Sequence, residues 1–290
     1  MPADPVVADL HLHSTASDGA LSPEAVVDLA AAAGLRAMAL TDHDTVAGVA
    51  RAQARGRELG IEVWTGCEVT VYAGSIELHV LAYGFDASAE SPLCRVLQEL
   101  RAARSARATK IVAQLAAAGV KVDEARVRAI ARDADSIGKP HVALALVEAG
   151  HARNVPEAFR LYLSRDGVGH VEKRPLDPTA ALEAIHASGG IASLAHPGQP
   201  PHDEQLAPLF RIGLDAVEAL HAAHGDVNRR FYAGLARRYD RGVSGGSDFH
   251  APNLKPGLVV GCSGVSSAQL ADLRRRIASR AAHAPAAVPA

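Results

Sequence analysis

Seven short apolar runs punctuate this 290-residue chain: VVADLH (6–11), RAMALTD (36–42), IEVWTGCEV (61–69), IELHVLAY (76–83), GIASLAH (190–196), DAVEALH (215–221) and GVSGGSD (242–248). Most are continuous rather than alternating, the pattern of strands covered on both faces in a parallel sheet. Helix signatures separate many of them. Ser22-Pro23 is an N-cap and first-turn pair leading into EAVVDLAAAA and a stop at Gly34. Thr45–Leu59 reads as a second helix closed by Gly60, and Pro178–Ala187 and Asp226–Tyr239 as two more. This alternation predicts an α/β fold, and the number of strands suggests a barrel. The alternation breaks between about Phe85 and Val171. There Ser91-Pro92 opens a long Ala/Arg-rich helix ending at Gly119, followed by helical pieces at 122–132, 141–149 and 156–163. The expected organisation is a barrel from 1–85 and 172–265, a helical insertion at 86–171 for substrate recognition, and a C-terminal helix with a frayed tail at 266–290.

Composition excludes several classes. Hydrophobic residues make up 48% of the chain, enough for a core, and the formal net charge of −2 argues against bulk duplex nucleic-acid binding. Charges interrupt every apolar stretch before it could cross a bilayer, and MPADPVVADL lacks the basic-then-apolar order of an export signal. Cys67, Cys94 and Cys262 are scattered, without a CxxC, which fits a cytoplasmic location.

The 14 histidines decide the chemistry. His11 and His13, Asp42 and His43, Glu68, His79, His196, then Asp248 and His250 all lie at or near strand candidates' ends, and barrel enzymes assemble their sites from such ends. His11/His13 and Asp248/His250 are two apart, so each pair faces one side of an extended segment and can grip one ion. Asp42 and His43 are adjacent and diverge, so one is a ligand and the other supports it. Glu68 is a lone carboxylate in an apolar run, suited to bridging two cations. An isolated histidine is seldom a ligand, but a set of them at strand ends is another matter. Imidazole with carboxylate and no thiolate suits Zn, Mn or Fe, and about nine ligands are too many for one ion, so two or three metals follow. Such a cluster suggests phosphate-ester hydrolysis by a metal-bound hydroxide. No Walker loop or GxGxxG is present.

The motifs DLHLHSTASDG (9–19), LTDHD (40–44), GCEV (66–69), LHVLAYG (78–84), LAHPG (194–198) and GGSDFH (245–250) together resemble the PHP (polymerase and histidinol phosphatase) family. The resemblance implies a distorted (β/α)7 TIM-like barrel and three metal positions. His11, His13, Glu68 and Asp248 would hold one ion, and Glu68 would bridge to a second held by His79 and His196. Asp18, His43 and His250 would hold a third, with Asp18 standing where other branches have a histidine. Asp42 would orient a ligand. The insertion segments GKPHVALALVEAG (138–150) and EAFRLYL (157–163) resemble the branch containing 3′,5′-nucleoside bisphosphate phosphatases and 5′→3′ exoribonucleases.

Lys139 and His141 flank Pro140 just before a helix, with Ser136 upstream, and form a candidate phosphate cradle. By the resemblance, His224 would contact the scissile phosphate, whereas His221 is as readily packing. The stripe Arg101, Arg104, Arg107 and Lys110 reads as a solvated face, and Trp64 and Tyr72 as packing. The expected function is a metal-dependent phosphoesterase acting on a small nucleotide bisphosphate or a short 5′-phosphorylated oligonucleotide, with no membrane or duplex partner. The alternatives are a cyclic-phosphate phosphodiesterase, a histidinol-phosphatase-like monoesterase and a non-catalytic nucleotide-binding module. The oligomeric state is not legible.

Overall fold

A computed structural model describes residues 4–74, 76–131, 137–172, 176–198, 203–252 and 257–283. The chain divides into two compact units, 1–97 with 176–290, and 98–175.

In the first unit, seven strands form one sheet in sequence order: β1 (Ala8–Leu12), β2 (Ala37–Leu40), β3 (Glu62–Ala73), β4 (Ile76–Tyr83), β5 (Ile191–Leu194), β6 (Ala216–His221) and β7 (Gly242–Gly246). Helices α1 (Pro23–Ala32) and α2 (Val49–Leu59) connect the first three strands, and α3 (Pro92–Ala117) follows β4. The α1 cap is the expected one: Ser22 Oγ accepts from Ala25 N at 3.3 Å. Val26, Val27 and Ala30 on α1 are fully buried against β1 and β2 side chains such as Leu12 and Leu40. Each fully buried Val or Leu contributes roughly 1.5–3 kcal/mol relative to exposure.

The sheet departs from the all-parallel expectation at β4, which runs antiparallel to both β3 and β5. The reason is local: only residues 74–75 separate β3 from β4, too few for a crossover, so the two strands form a hairpin. The second helix also starts later than Thr45. Asp44 adopts a left-handed conformation (φ 52°) and Thr45 Oγ1 accepts from Ala47 N, so the chain bends before the helix begins at Val49.

The sheet nearly closes. Asp248 N donates to His11 O (2.9 Å) and His13 N to Phe249 O (3.0 Å), bringing the segment after β7 onto β1. This seam requires Gly246, where a Cβ would collide with the backbone and side chain of His11. Asp9, fully buried, staples the same seam by accepting from Ser247 N (3.0 Å) and Gly261 N (2.9 Å).

In the second unit, α4 (Glu124–Ala131), α5 (Lys139–Glu148), α6 (Val155–Ala158) and residues of α3 enclose their own core around Ile111, Leu115, Val142 and Leu146. The helix expected over 156–163 is two pieces: α6, capped by Asn154, gives way to a π-helical turn, Phe159–Leu163. The remaining helices, α7 (Pro178–Ala187), α8 (Asp203–Arg211), α9 (Asp226–Arg238) and α10 (Ser267–His283), belong to the first unit.

Candidate metal centre

Parallel strands bring their carboxyl ends to one rim, and the hairpin inverts that rule for β4. His11 and His13 leave the end of β1, Asp42 and His43 follow β2, and His196 follows β5. His79 comes from the first half of β4, which reaches the same rim because β4 runs the other way.

Glu68 lies at the centre and is fully buried. Its Oε1 is 2.7 Å from His79 Nδ1 and 2.9 Å from His196 Nε2. Its Oε2 is 3.1 Å from His11 Nε2, 3.2 Å from His13 Nε2 and 3.3 Å from His43 Nδ1. Asp248 Oδ1 lies 3.4 Å from His11 Nε2 and 3.3 Å from His13 Nε2. On the outer side, Asp18 Oδ1 is 3.4 Å from His250 Nε2, and Asp18 Oδ2 is 3.8 Å from His43 Nε2. The donor atoms fall into groups compact enough to hold an ion: His11, His13, Glu68 and Asp248; His43, Glu68 and His79; and His13, Asp18, His43 and His250.

Tautomers show why these contacts call for cations. His11 Nδ1 lies 3.0 Å from Glu218 Oε1 and 3.2 Å from Oε2, so the ring proton sits on Nδ1. The Nε2 lone pair then faces the carboxylates of Glu68 and Asp248. His250 repeats the arrangement: Nδ1 donates to Asp248 O (2.9 Å), and the Nε2 lone pair faces Asp18. Neither ring nitrogen of His13, nor Nδ1 of His79, makes a hydrogen bond despite complete burial of those atoms. Electron pairs pointed at electron pairs are stable only around a positive centre, and an imidazole–carboxylate set fits a borderline divalent cation.

Without metal, that positive charge falls to protons. Burial works against charge on His11, but Glu218 and Glu68 outweigh it and hold its pKa well above the ordinary value. Burial likewise opposes charge on His13, yet Asp248 and Glu68 push it up to about 10. His43, where burial dominates, is lowered to about 4. Glu68 itself is held well below the carboxylate range by His11 and His43, against its burial.

Two supporting residues complete the centre. Asp42 takes Ser14 N and Ser14 Oγ (both 2.7 Å) and Ser17 Oγ (2.7 Å), and Ser17 Oγ also reaches Asp18 Oδ1 (3.2 Å). Its partners are thus the loop that carries Asp18, not an imidazole. Glu218, in the middle of β6 and fully buried, takes His11 Nδ1 and His196 N (2.7 Å). Sequence reasoning passed over Glu218 and Asp9. Their signals were a lone carboxylate inside DAVEALH, and the two-residue step Asp9–His11–His13. His196 (φ 21°) and Asp248 (φ 55°) have left-handed backbones, a strain concentrated at this rim.

His224 is buried beside the centre, its Nδ1 3.1 Å from Ala219 O and its ring stacked on Tyr232. In the second unit, His141 Nδ1 accepts from Gly138 N (3.0 Å) at the start of α5, and the Lys139 ammonium bonds the Leu163 carbonyl at the end of the π-helical turn. Ser136 lies outside the described residues. Trp64 is buried edge-on to Tyr83, and all three cysteines are free thiols. No helix among the described residues is long and apolar enough to cross a membrane.

A model of the PHP domain matches residues 9–149. The chain is 36% identical over 249 residues to a 5′-3′ exoribonuclease of Haemophilus influenzae, covering 84% of this chain and 90% of that protein. It is 35% identical over 251 residues to a 3′,5′-nucleoside bisphosphate phosphatase of Chromobacterium violaceum, covering 84% and 87%. A solved structure from Bifidobacterium adolescentis, assigned to the metal-dependent phosphoesterases, superposes with a TM-score of 0.81 at 30% identity, covering 96% of this chain and 98% of that one.

Proposed function

Because the chain belongs to the PHP domain family and is a metal-dependent phosphoesterase, we propose that it hydrolyses a phosphate ester of a 3′,5′-nucleoside bisphosphate or of a short 5′-phosphorylated oligonucleotide. The observation that carries this reading is Glu68, whose two oxygens stand within 3.3 Å of nitrogens from His11, His13, His43, His79 and His196. The likeness to a 5′-3′ exoribonuclease and to a 3′,5′-nucleoside bisphosphate phosphatase supports the class.

Bound Mn, Zn or Fe ions would polarise the phosphoryl oxygens and bring the pKa of a water to ~7. The chain supplies the frame. His11, His13, Glu68 and Asp248 would hold one ion, and Glu68 with His79 and His196 a second. Asp18, His43 and His250 would hold a third. Glu68 would contribute a carboxylate oxygen to each of the first two, since its Oε2 faces His11 and His13 and its Oε1 faces His79 and His196. Glu218 locks the His11 ring, and Asp42 braces the Asp18 loop. His224, with its proton on Nδ1, keeps an Nε2 lone pair that can accept a proton from a nucleophilic water and cannot donate to a phosphoryl oxygen. Lys139 and His141, at the amino end of α5, are the proposed contacts for a second phosphate, with the helix dipole assisting, and Ser136 is proposed with them from the sequence alone.

Product analysis on the metal-loaded protein tests the reading. Release of orthophosphate from a nucleoside bisphosphate is expected of a monoesterase, and release of a mononucleotide from a 5′-phosphorylated oligoribonucleotide of an exonuclease. Metal-replete protein that binds nucleotides and hydrolyses none would overturn it. Lys139→Ala should raise KM by about tenfold while leaving kcat near wild type.

A further inference from the structure

His221 ends β6 and, with Asp18, Asp248, His250, Ala222 and Leu258, lines a cavity of about 580 Å³. Its Nδ1 is 3.2 Å from the backbone nitrogen of Ala223. A backbone N–H can only donate, so the lone pair lies at Nδ1 and the ring proton sits on Nε2. That Nε2 is buried and makes no hydrogen bond, in a residue only 6% exposed. The carboxylate in closest reach is Asp248 Oδ2, 3.6 Å away and beyond hydrogen-bond distance. A buried donor left unsatisfied is costly, and at a cavity wall it points to a ligand.

The same tautomer argues against ligation. His11, Glu218 and His221 lie close enough together to suggest an ion. However, His11 meets Glu218 through its Nδ1 proton, and His221 presents N–H where a metal needs a lone pair. His224, three residues on, is the opposite case: its Nδ1 donates to Ala219 O, so its Nε2 is an acceptor.

We infer that His221 is a fixed hydrogen-bond donor to the substrate, giving its Nε2–H to a phosphoryl oxygen seated beside Asp248. The inference rests on the phosphoesterase reading above and adds a residue that stabilises developing negative charge. The ring is oriented by its own turn before substrate arrives, so the donor needs no reorganisation as charge develops. No proton leaves His221.

The test compares His221→Gln, which retains an N–H donor, with His221→Phe and His221→Leu, which do not, in the full metal-loaded chain. Two apolar variants guard against a folding defect in either, checked by circular dichroism melting. The apolar variants should lose about 10²–10³-fold in kcat/KM and bind orthovanadate at least about tenfold more weakly. Gln should recover at least about tenfold of the kcat/KM, with a pH profile parallel to wild type. Metal content by elemental analysis should stay at the wild-type level in all three. Loss of metal in the apolar variants would make His221 a ligand or a prop for Asp248. A Gln variant as inactive as Phe, with one limb of the pH profile missing, would make it a general acid. Wild-type kinetics and vanadate affinity in the apolar variants would make it a bystander. Each of these overturns the proposal. If wild type hydrolyses no phosphate ester, the phosphoesterase reading fails, and the vanadate comparison still reads the donor separately.

Discussion

Strand β6 connects two groupings of histidine and carboxylate that look alike in composition and differ in kind. Just before the strand begins, Asp215 Oδ2 takes His186 Nε2 (2.8 Å) and Ala192 N (2.9 Å), while its Oδ1 takes Arg280 Nη2 (2.8 Å). Every contact there pairs a donor with an acceptor. Burial raises the Asp215 pKa, but His186, Ala192 and Arg280 lower it further than burial raises it. Further along the strand, Glu218 orients His11, and the atoms beyond it face one another lone pair to lone pair. The first grouping is complete in protein alone; the second is complete only with added positive charge. Direction of electron pairs, rather than residue type or burial, separates a structural tie from a ligand site.

The sharpest way to break this contrast is Glu68→Gln. It removes the shared carboxylate, and hydrolysis should fall on the order of 10³-fold or more, with metal content reduced. Unchanged activity and metal content would place the centre elsewhere. The next test is pH. In metal-free protein, burial opposes charge on His13 and His79, but Asp248 and Glu68 carry His13 to about 10, and Glu68 with Glu77 carries His79 to about 9. Both values are raised above the unfolded one, so this contribution is full below pH ~6.5 and is lost as pH rises through 9 to 10. Thermal melts of metal-free protein should therefore weaken from neutral to pH 10, while loaded protein resists. Metal affinity should rise by up to about tenfold per pH unit for each proton displaced. Calorimetry in buffers of different ionisation enthalpy counts those protons.

Glu218→Gln touches the join between the groupings. It keeps the shape but weakens the hold on His11, so metal affinity should drop about 10–100-fold with little change in melting temperature of loaded protein. Competition with a chelator measures it. Smallest in effect on chemistry is Asp215→Asn. With Arg280 partly exposed, the loss should be about 1–3 kcal/mol of stability by denaturant melts, and kcat at saturating metal should match wild type.

Much of the barrel and most of the convergent side chains were legible because both leave a local trace. Continuous apolar runs mark covered strands, and a polar residue where such a run ends is conspicuous. Part of what stayed hidden lies in the link between neighbouring elements, and part depends on partners distant in sequence. Nothing in IELHVLAY tells that β4 runs backwards; that follows from the shortness of the link to β3. Glu218 and Asp9 are single acids in apolar strands, and their roles depend on His11, Ser247 and Gly261, which neighbour them only after folding. His221 was indistinguishable from packing, because its tautomer is set by a contact to its own turn that no spacing reveals.

The hairpin of β3 and β4 works as a ruler. Thr70 stands opposite His79 and Glu68 opposite Leu81, so the distance between the Glu68 and His79 side chains is counted out in residues around the tip. Because side chains alternate along each arm, dropping one residue from either arm would turn Glu68 or His79 to the wrong side. Extra residues at the tip would leave the count intact. Drift in length should therefore be tolerated at residues 74–75 and nowhere else along this pair.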